Sequence, residues 1–101
     1  MADKVVFRVR AEADIEAIGD WIARDSRRHA AQWIADVRER CETLSEFAER
    51  WPLQVGSVRR MVFGEYLVFF RIADPDIPSR RRVIVLRVIH GARRIPRSLG
   101  G

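Results

Sequence analysis

Val83-Ile84-Val85-Leu86-Arg87-Val88-Ile89-His90-Gly91-Ala92-Arg93-Arg94 is the stretch around which the chain is organised. Its first seven residues form an almost unbroken β-branched and aliphatic run, which stops at a His-Gly pair and passes into a basic tail. That pattern predicts a central strand with a charged edge at its end. A strand apolar at both parities needs cover on both faces, helices on one side and a partner or loop on the other. Arg87 interrupts the run, and a guanidinium there is either paired within the fold or displayed to a ligand.

Working outward, Arg80-Arg81-Arg82 leads into this strand from a turn-rich loop, Asp74-Pro75-Asp76-Ile77-Pro78-Ser79. Upstream, Tyr66 to Ile72 is apolar on both faces, and Gly56 to Phe63 joins it through Gly64-Glu65, which predicts a hairpin. The N-terminal part alternates instead. Val5, Phe7 and Val9 share one face and Arg8 and Arg10 the other, so Lys4 to Arg10 is expected to be a short edge strand. From Ala11 the period becomes helical, with Ile15, Ile18 and Ile22 on one stripe up to Asp25-Ser26. A second helix is expected from about Arg28 to Arg50, carrying Ala30, Trp33, Val37, Cys41 and Leu44 inward and ending before Trp51-Pro52. The expectation is an α+β fold of order βααβββ, a helical hairpin on a mainly antiparallel four-stranded sheet.

A chain of 101 residues, 48% hydrophobic and 33% charged, holds one core and is treated as one domain over residues 1–101. Its longest apolar run, Tyr66 to Phe70, is far below the roughly 20 residues that cross a bilayer, and Met1-Ala2-Asp3-Lys4 shows no signal peptide. A cytoplasmic location without membrane contact is expected. Cys41 is the single cysteine, which excludes an intrachain disulfide and a thiolate zinc site. The net charge of +5 is unevenly placed: residues 1–50 hold nine Lys/Arg against eleven Asp/Glu, and residues 51–101 hold ten against three. Eighteen of the nineteen cations are arginine, whose planar fork suits phosphate or carboxylate; a solvated surface is the plainer alternative.

No Gly-rich phosphate loop, metal-ligand cluster or nucleophile elbow is present, and no metal or cofactor is expected. Cys41 lies on an apolar stripe and reads as a buried structural thiol. His29 reads as a surface or capping residue, and the first helix's acids as a solvated face. Trp21 and Trp33 suit a core or a protein interface. His90 with Arg71 and Arg93 supplies what metal-free phosphodiester cleavage needs, a proton shuttle and cations. In a regular strand, however, Arg87 and His90 point to opposite faces and share a site only if the strand bends.

Together, Arg87-Val88-Ile89-His90-Gly91-Ala92-Arg93, Gly64-Glu65-Tyr66-Leu67-Val68-Phe69-Phe70-Arg71-Ile72 and Ala13-Asp14-Ile15 resemble the RelE/ParE superfamily of type II toxins, the toxic halves of plasmid-stabilisation modules. The resemblance spans nearly the whole chain. Members like RelE and YoeB cut mRNA on the ribosome and typically place an arginine just before the Leu-Val-Tyr of the middle strand, where this chain has Tyr66. They also draw on lysines or on a closing His-Tyr pair, whereas here there is one lysine and Gly91 follows His90. The His-Gly-Ala-Arg ending is similar to ParE-type toxins, which poison DNA gyrase, although Arg94 stands where an acidic residue is common.

The resemblance therefore implies a binding inhibitor of gyrase, held silent in a hetero-oligomer by a cognate antitoxin encoded next to it. The antitoxin is expected to lay a helix against the hairpin and an extended piece near the sheet. Residues expected to bind target or antitoxin are Arg59, Arg60, Arg80, Arg81, Arg82, Arg87, Arg93, Arg94, Trp21 and Trp33, with acidic antitoxin residues on Arg59, Arg60 or Arg80 to Arg82. The alternatives are a ribosome-dependent mRNA endoribonuclease using His90, Arg71 and Arg93, and a non-toxic relic that only binds antitoxin.

Overall fold

The computed structural model describes residues 2–92. The chain runs β1 (Lys4–Phe7), α1 (Val9–Ala23), α2 (Arg27–Glu42), α3 (Leu44–Phe47), a 3-10 turn (Ala48–Arg50), β2 (Leu53–Val55), β3 (Val58–Phe63), β4 (Tyr66–Ala73) and β5 (Arg82–His90). The sheet order is β1-β5-β4-β3-β2. The expected α+β arrangement holds, with five strands instead of four. The additional strand, β2, has only three residues, too few to show a period, and pairs with β3 through an irregular register. β1 is the expected edge, and it lies parallel to β5 while the other pairings are antiparallel.

Three boundaries differ from the sequence reading. β1 stops at Phe7, because the Arg8 amide makes the last bond to the sheet, to the Val85 carbonyl (3.0 Å), while the Arg8 carbonyl accepts the first helical bond from Glu12 (3.0 Å). Helical hydrogen bonding thus overrides the alternation through Val9 and Arg10, and Val9 is left 87% exposed. α2 begins at Arg27, where Ser26 caps it by accepting from the His29 amide (3.2 Å). It ends at Glu42 and does not run on to Arg50: the Thr43 hydroxyl donates to the Arg40 carbonyl (2.6 Å), and the chain re-forms as α3 and a 3-10 turn. Competition of a threonine hydroxyl for the last turn is a known way to end a helix.

β5 lies between β1 and β4, the central place expected of it. Its apolar residues divide between two clusters. Val83, Val85 and Val88 join the helix side, with Ala11 and Ile15 of α1 and Val37 and Cys41 of α2. Ile84, Leu86 and Ile89 join Val58, Phe69 and Ala73 on the opposite face, a cluster made of strand residues alone. Phe69 and Phe70 point to opposite faces and are both fully buried, each contributing about 1.5–3 kcal/mol relative to exposure. Gly64, at φ 58°, makes the β3–β4 turn that a side chain would strain. No helix among the described residues is long and apolar enough to cross a membrane.

Candidate functional site

The end of β5 is set by a bulge. Phe69 pairs with Arg87 and Phe70 with Val85, so Leu86 is the extra residue. The alternation therefore shifts by one: Val85 and Val88 both belong to the helix-side cluster. Arg87 stands opposite Phe69, and its Nε and Nη2 donate to the Asp14 carboxylate of α1 at 2.7 and 3.2 Å. Asp14 Oδ2 also accepts from the Val88 amide (2.9 Å), and Arg10 Nε stands 3.9 Å away. Arg87 is thus paired, not displayed. The bulge lies before Arg87; from Arg87 to His90 the register with Phe69 to Tyr66 runs without a shift, so these two residues keep opposite parity.

His90 closes the strand opposite Tyr66, meeting its ring edge-on at a centroid distance of 5.2 Å. Its Nδ1 accepts from the Ala92 amide (3.1 Å), which leaves Nε2 to carry the ring proton towards Glu65 Oε2, 3.7 Å off. Gly91 fits closely here: its amide donates to the Glu65 carbonyl (2.7 Å), and an added Cβ would crowd that oxygen at 3.1 Å. Tyr66 continues into Trp33 at 5.0 Å, and Trp33 into Phe63 at 6.4 Å. Burial, and then the Glu65 charge, push the Tyr66 phenol above its ordinary value, so it stays protonated.

Ala17, Ile18 and Trp21 of α1 face Tyr66 and His90 across a recess of about 450 Å³. Trp21 is 62% exposed on its rim. Apolar walls with two polar tips suit a large apolar side chain from a partner better than proton transfer. The sequence reading named Trp21 and His90 but not Asp14, Ala17, Ile18 or Tyr66 as site residues. The three-and-four spacing of Asp14, Ile18 and Trp21 along one helix stripe was the available signal.

Several of the arginines are occupied. Arg59 Nη1 donates to the carbonyls of Trp51 (2.7 Å) and Glu49 (3.3 Å). Arg81 ties Asp3 (2.8 Å), the Pro75 carbonyl (3.3 Å) and the Glu49 carboxylate together. Arg82 pairs with Asp74 (3.1 Å), and Arg80 is exposed in the loop before it. Arg60 and Arg71 lie on the face away from the helices, opposite Phe69 and Val58 of the strand-only cluster. Arg60 Nε is buried without a hydrogen-bond partner. His90 and Arg71 therefore sit on opposite faces of the sheet. Arg93 and Arg94 lie outside the described residues, and Trp33 is half-buried in its aromatic stack.

Cys41 is fully buried and its thiol is pushed up to about 12, chiefly by burial. Among the described residues no group of three or more His, Cys, Asp or Glu side chains is placed to hold a metal ion.

Residues 5–95 match the family described as "ParE toxin of type II toxin-antitoxin system, parDE". The chain is 30% identical over 91 residues to Toxin RelE2 of Caulobacter vibrioides, covering 89% of this chain and 97% of that protein. Its fold is similar to a chromosomal ParDE toxin–antitoxin system from P. aeruginosa, with TM-score 0.74 and 20% identity over 88% of this chain and 96% of that one. It is also similar to the toxin–antitoxin complex RelBE2 from Mycobacterium tuberculosis, with TM-score 0.64 and 24% identity over 89% of this chain and 99% of that one. At these identities the two structures bear on the fold alone.

Proposed function

The chain belongs to the ParE toxin family of type II toxin–antitoxin systems, and from that premise we propose that it acts by binding and not by turnover, blocking DNA gyrase until a cognate antitoxin silences it. The observation that carries the non-catalytic part is the division of His90 and Arg71 between two faces of the sheet. Metal-free phosphodiester cleavage needs its proton carrier and its cations around one phosphate. Here the His90 ring is held between Tyr66 and the Ala92 amide instead. Gyrase as the target rests on the His90-Gly91-Ala92-Arg93 ending and its likeness to ParE-type toxins.

The antitoxin partner is supported by the family, whose members are toxins of type II toxin–antitoxin systems. The recess beside Trp21 and the cations that are not engaged within the fold are the surfaces it would use. A second reading, ribosome-dependent mRNA cleavage, is favoured by the RelE name of the 30% identical relative. Inducible expression of this chain without its neighbour separates the readings. Filamentation and DNA-damage signalling with intact transcripts is the expected result. Translation arrest with cleaved transcripts, abolished by His90→Ala, would establish the second reading, and growth without defect would leave only antitoxin binding.

A further inference from the structure

The sheet face away from the helices carries positive charge that no acidic side chain among the described residues balances. Arg60 stands opposite Phe69 and Arg71 opposite Val58, which makes the two arginines diagonal neighbours on adjacent antiparallel strands. Diagonal neighbours lie about 7–8 Å apart, within the reach of two long side chains. By register the same face of β3, β4 and β5 presents no Asp or Glu, and neither arginine has an acidic partner among the described residues. Nε of Arg60 is buried and has no hydrogen-bond partner among the described residues. A like charge beside it opposes folding, and a bound oxyanion would relieve that repulsion. The neighbouring Arg59, Arg82 and Arg87 each have partners within the chain.

We propose that Arg60 and Arg71 together grip a carboxylate from an extended acidic segment of the antitoxin, an inference that rests on the antitoxin-bound reading above. The surroundings favour a peptide over a nucleic acid. Val62, 46% exposed, and Leu67 lie beside the pair and offer apolar contact to residues flanking the carboxylate. Phe69, the aromatic ring on this face, is 0% exposed and cannot stack on a base. No side-chain amide or hydroxyl in β3, β4 or β5 reaches this face to read one. The carboxylate accepts from the guanidinium groups of Arg60 and Arg71 and neutralises their repulsion in one contact.

The test uses the full chain in complex with the protein encoded by the adjacent gene, with affinity measured at two salt concentrations for the wild type, Arg60→Gln, Arg71→Gln and Arg60→Lys. The expected result is a roughly tenfold loss for each glutamine variant, a flatter salt dependence, and a smaller loss for lysine, which keeps the charge but not the fork. Unchanged melting temperatures show that the losses are not unfolding. Unchanged affinity and salt dependence would overturn this inference and leave the antitoxin reading standing; no complex with the wild type would overturn both. If the substitutions spare the antitoxin and instead abolish binding of a single-stranded RNA 12-mer, the pair is a phosphate site and the inference is overturned.

Discussion

The carboxylate of Asp14, in the second turn of α1, holds both the guanidinium of Arg87 and the backbone amide of Val88, so that three hydrogen bonds of 2.7, 3.2 and 2.9 Å fasten the helix to the bulge in β5. The side chains of Asp14 and Arg87 are each only 13% exposed. Removing one partner strands the other away from water. Asp14→Ala is therefore expected to destabilise the chain by about 3 kcal/mol, and the Asp14→Ala/Arg87→Ala pair by much less than the sum of the single changes. A urea-unfolding double-mutant cycle measures this, and additive losses would show that the pair does not act as a unit.

Glu12 on α1 accepts from Arg38 of α2 at 3.0 and 2.7 Å, and this hydrogen bonding holds the Glu12 carboxyl below its ordinary 4.5. A carboxylate depressed in the folded state adds stability that is complete above pH 4.5 and is lost as pH falls through the lowered value. Both side chains are more than two-fifths exposed, so the contribution is under about 1 kcal/mol. Glu12→Gln should flatten the acid side of the stability curve by that amount and leave neutral pH nearly unchanged in its slope. Thermal melts between pH 3 and pH 7, as an order-of-magnitude window around that carboxylate, follow it.

Cys41 is expected to be inert to iodoacetamide in the native protein at neutral pH and to react at the rate of global opening. Its thiol is buried and pushed up to about 12 from 9.0. A raised value means that the unfolded chain ionises first, so stability is complete below 9.0 and falls as pH rises towards 12. Cys41→Ala should remove part of that alkaline loss. Fast labelling of the folded chain would contradict the packing described for α2.

Trp21→Ala should leave the unfolding free energy within about 0.5 kcal/mol, because the indole is 62% exposed and lies on the rim of the recess. The same change should weaken antitoxin binding at least tenfold if a partner side chain enters between Trp21 and His90, as a buried aromatic anchor does. Tryptophan emission should shift to the blue on binding. Binding and emission indifferent to this substitution would remove the recess from the interface.

His90→Ala is expected to leave toxicity in place under the gyrase reading while loosening the end of β5. The ring packs on Tyr66 and accepts from the Ala92 amide, so its loss frees the turn at Gly91 and Ala92. Hydrogen exchange at the Gly91 and Ala92 amides reports the loosening, and growth arrest reports the activity. Loss of arrest with unchanged exchange would instead mark His90 as a functional contact.

Much of this architecture was legible in the sequence because it depends on local periodicity. The two amphipathic helices, the β3–β4 hairpin and a doubly buried β5 all follow from which residues avoid water, and the three motifs around Asp14, Tyr66 and His90 were visible in order. What remained hidden depended on contacts between distant residues. A one-residue bulge at Leu86 set Val85 and Val88 on the same face, and no residue near it in sequence announces that shift. The partners of the arginines were equally illegible: Arg81 finds Asp3 and Arg87 finds Asp14, 78 and 73 residues away. A sequence fixes how much charge a chain carries, whereas only the folded arrangement decides which charges cancel. By that division the sequence determined a basic, arginine-rich chain with α+β periodicity, and tertiary structure decided that Arg59, Arg81, Arg82 and Arg87 serve the fold while Arg60 and Arg71 lie on the face away from the helices with no acidic partner among the described residues.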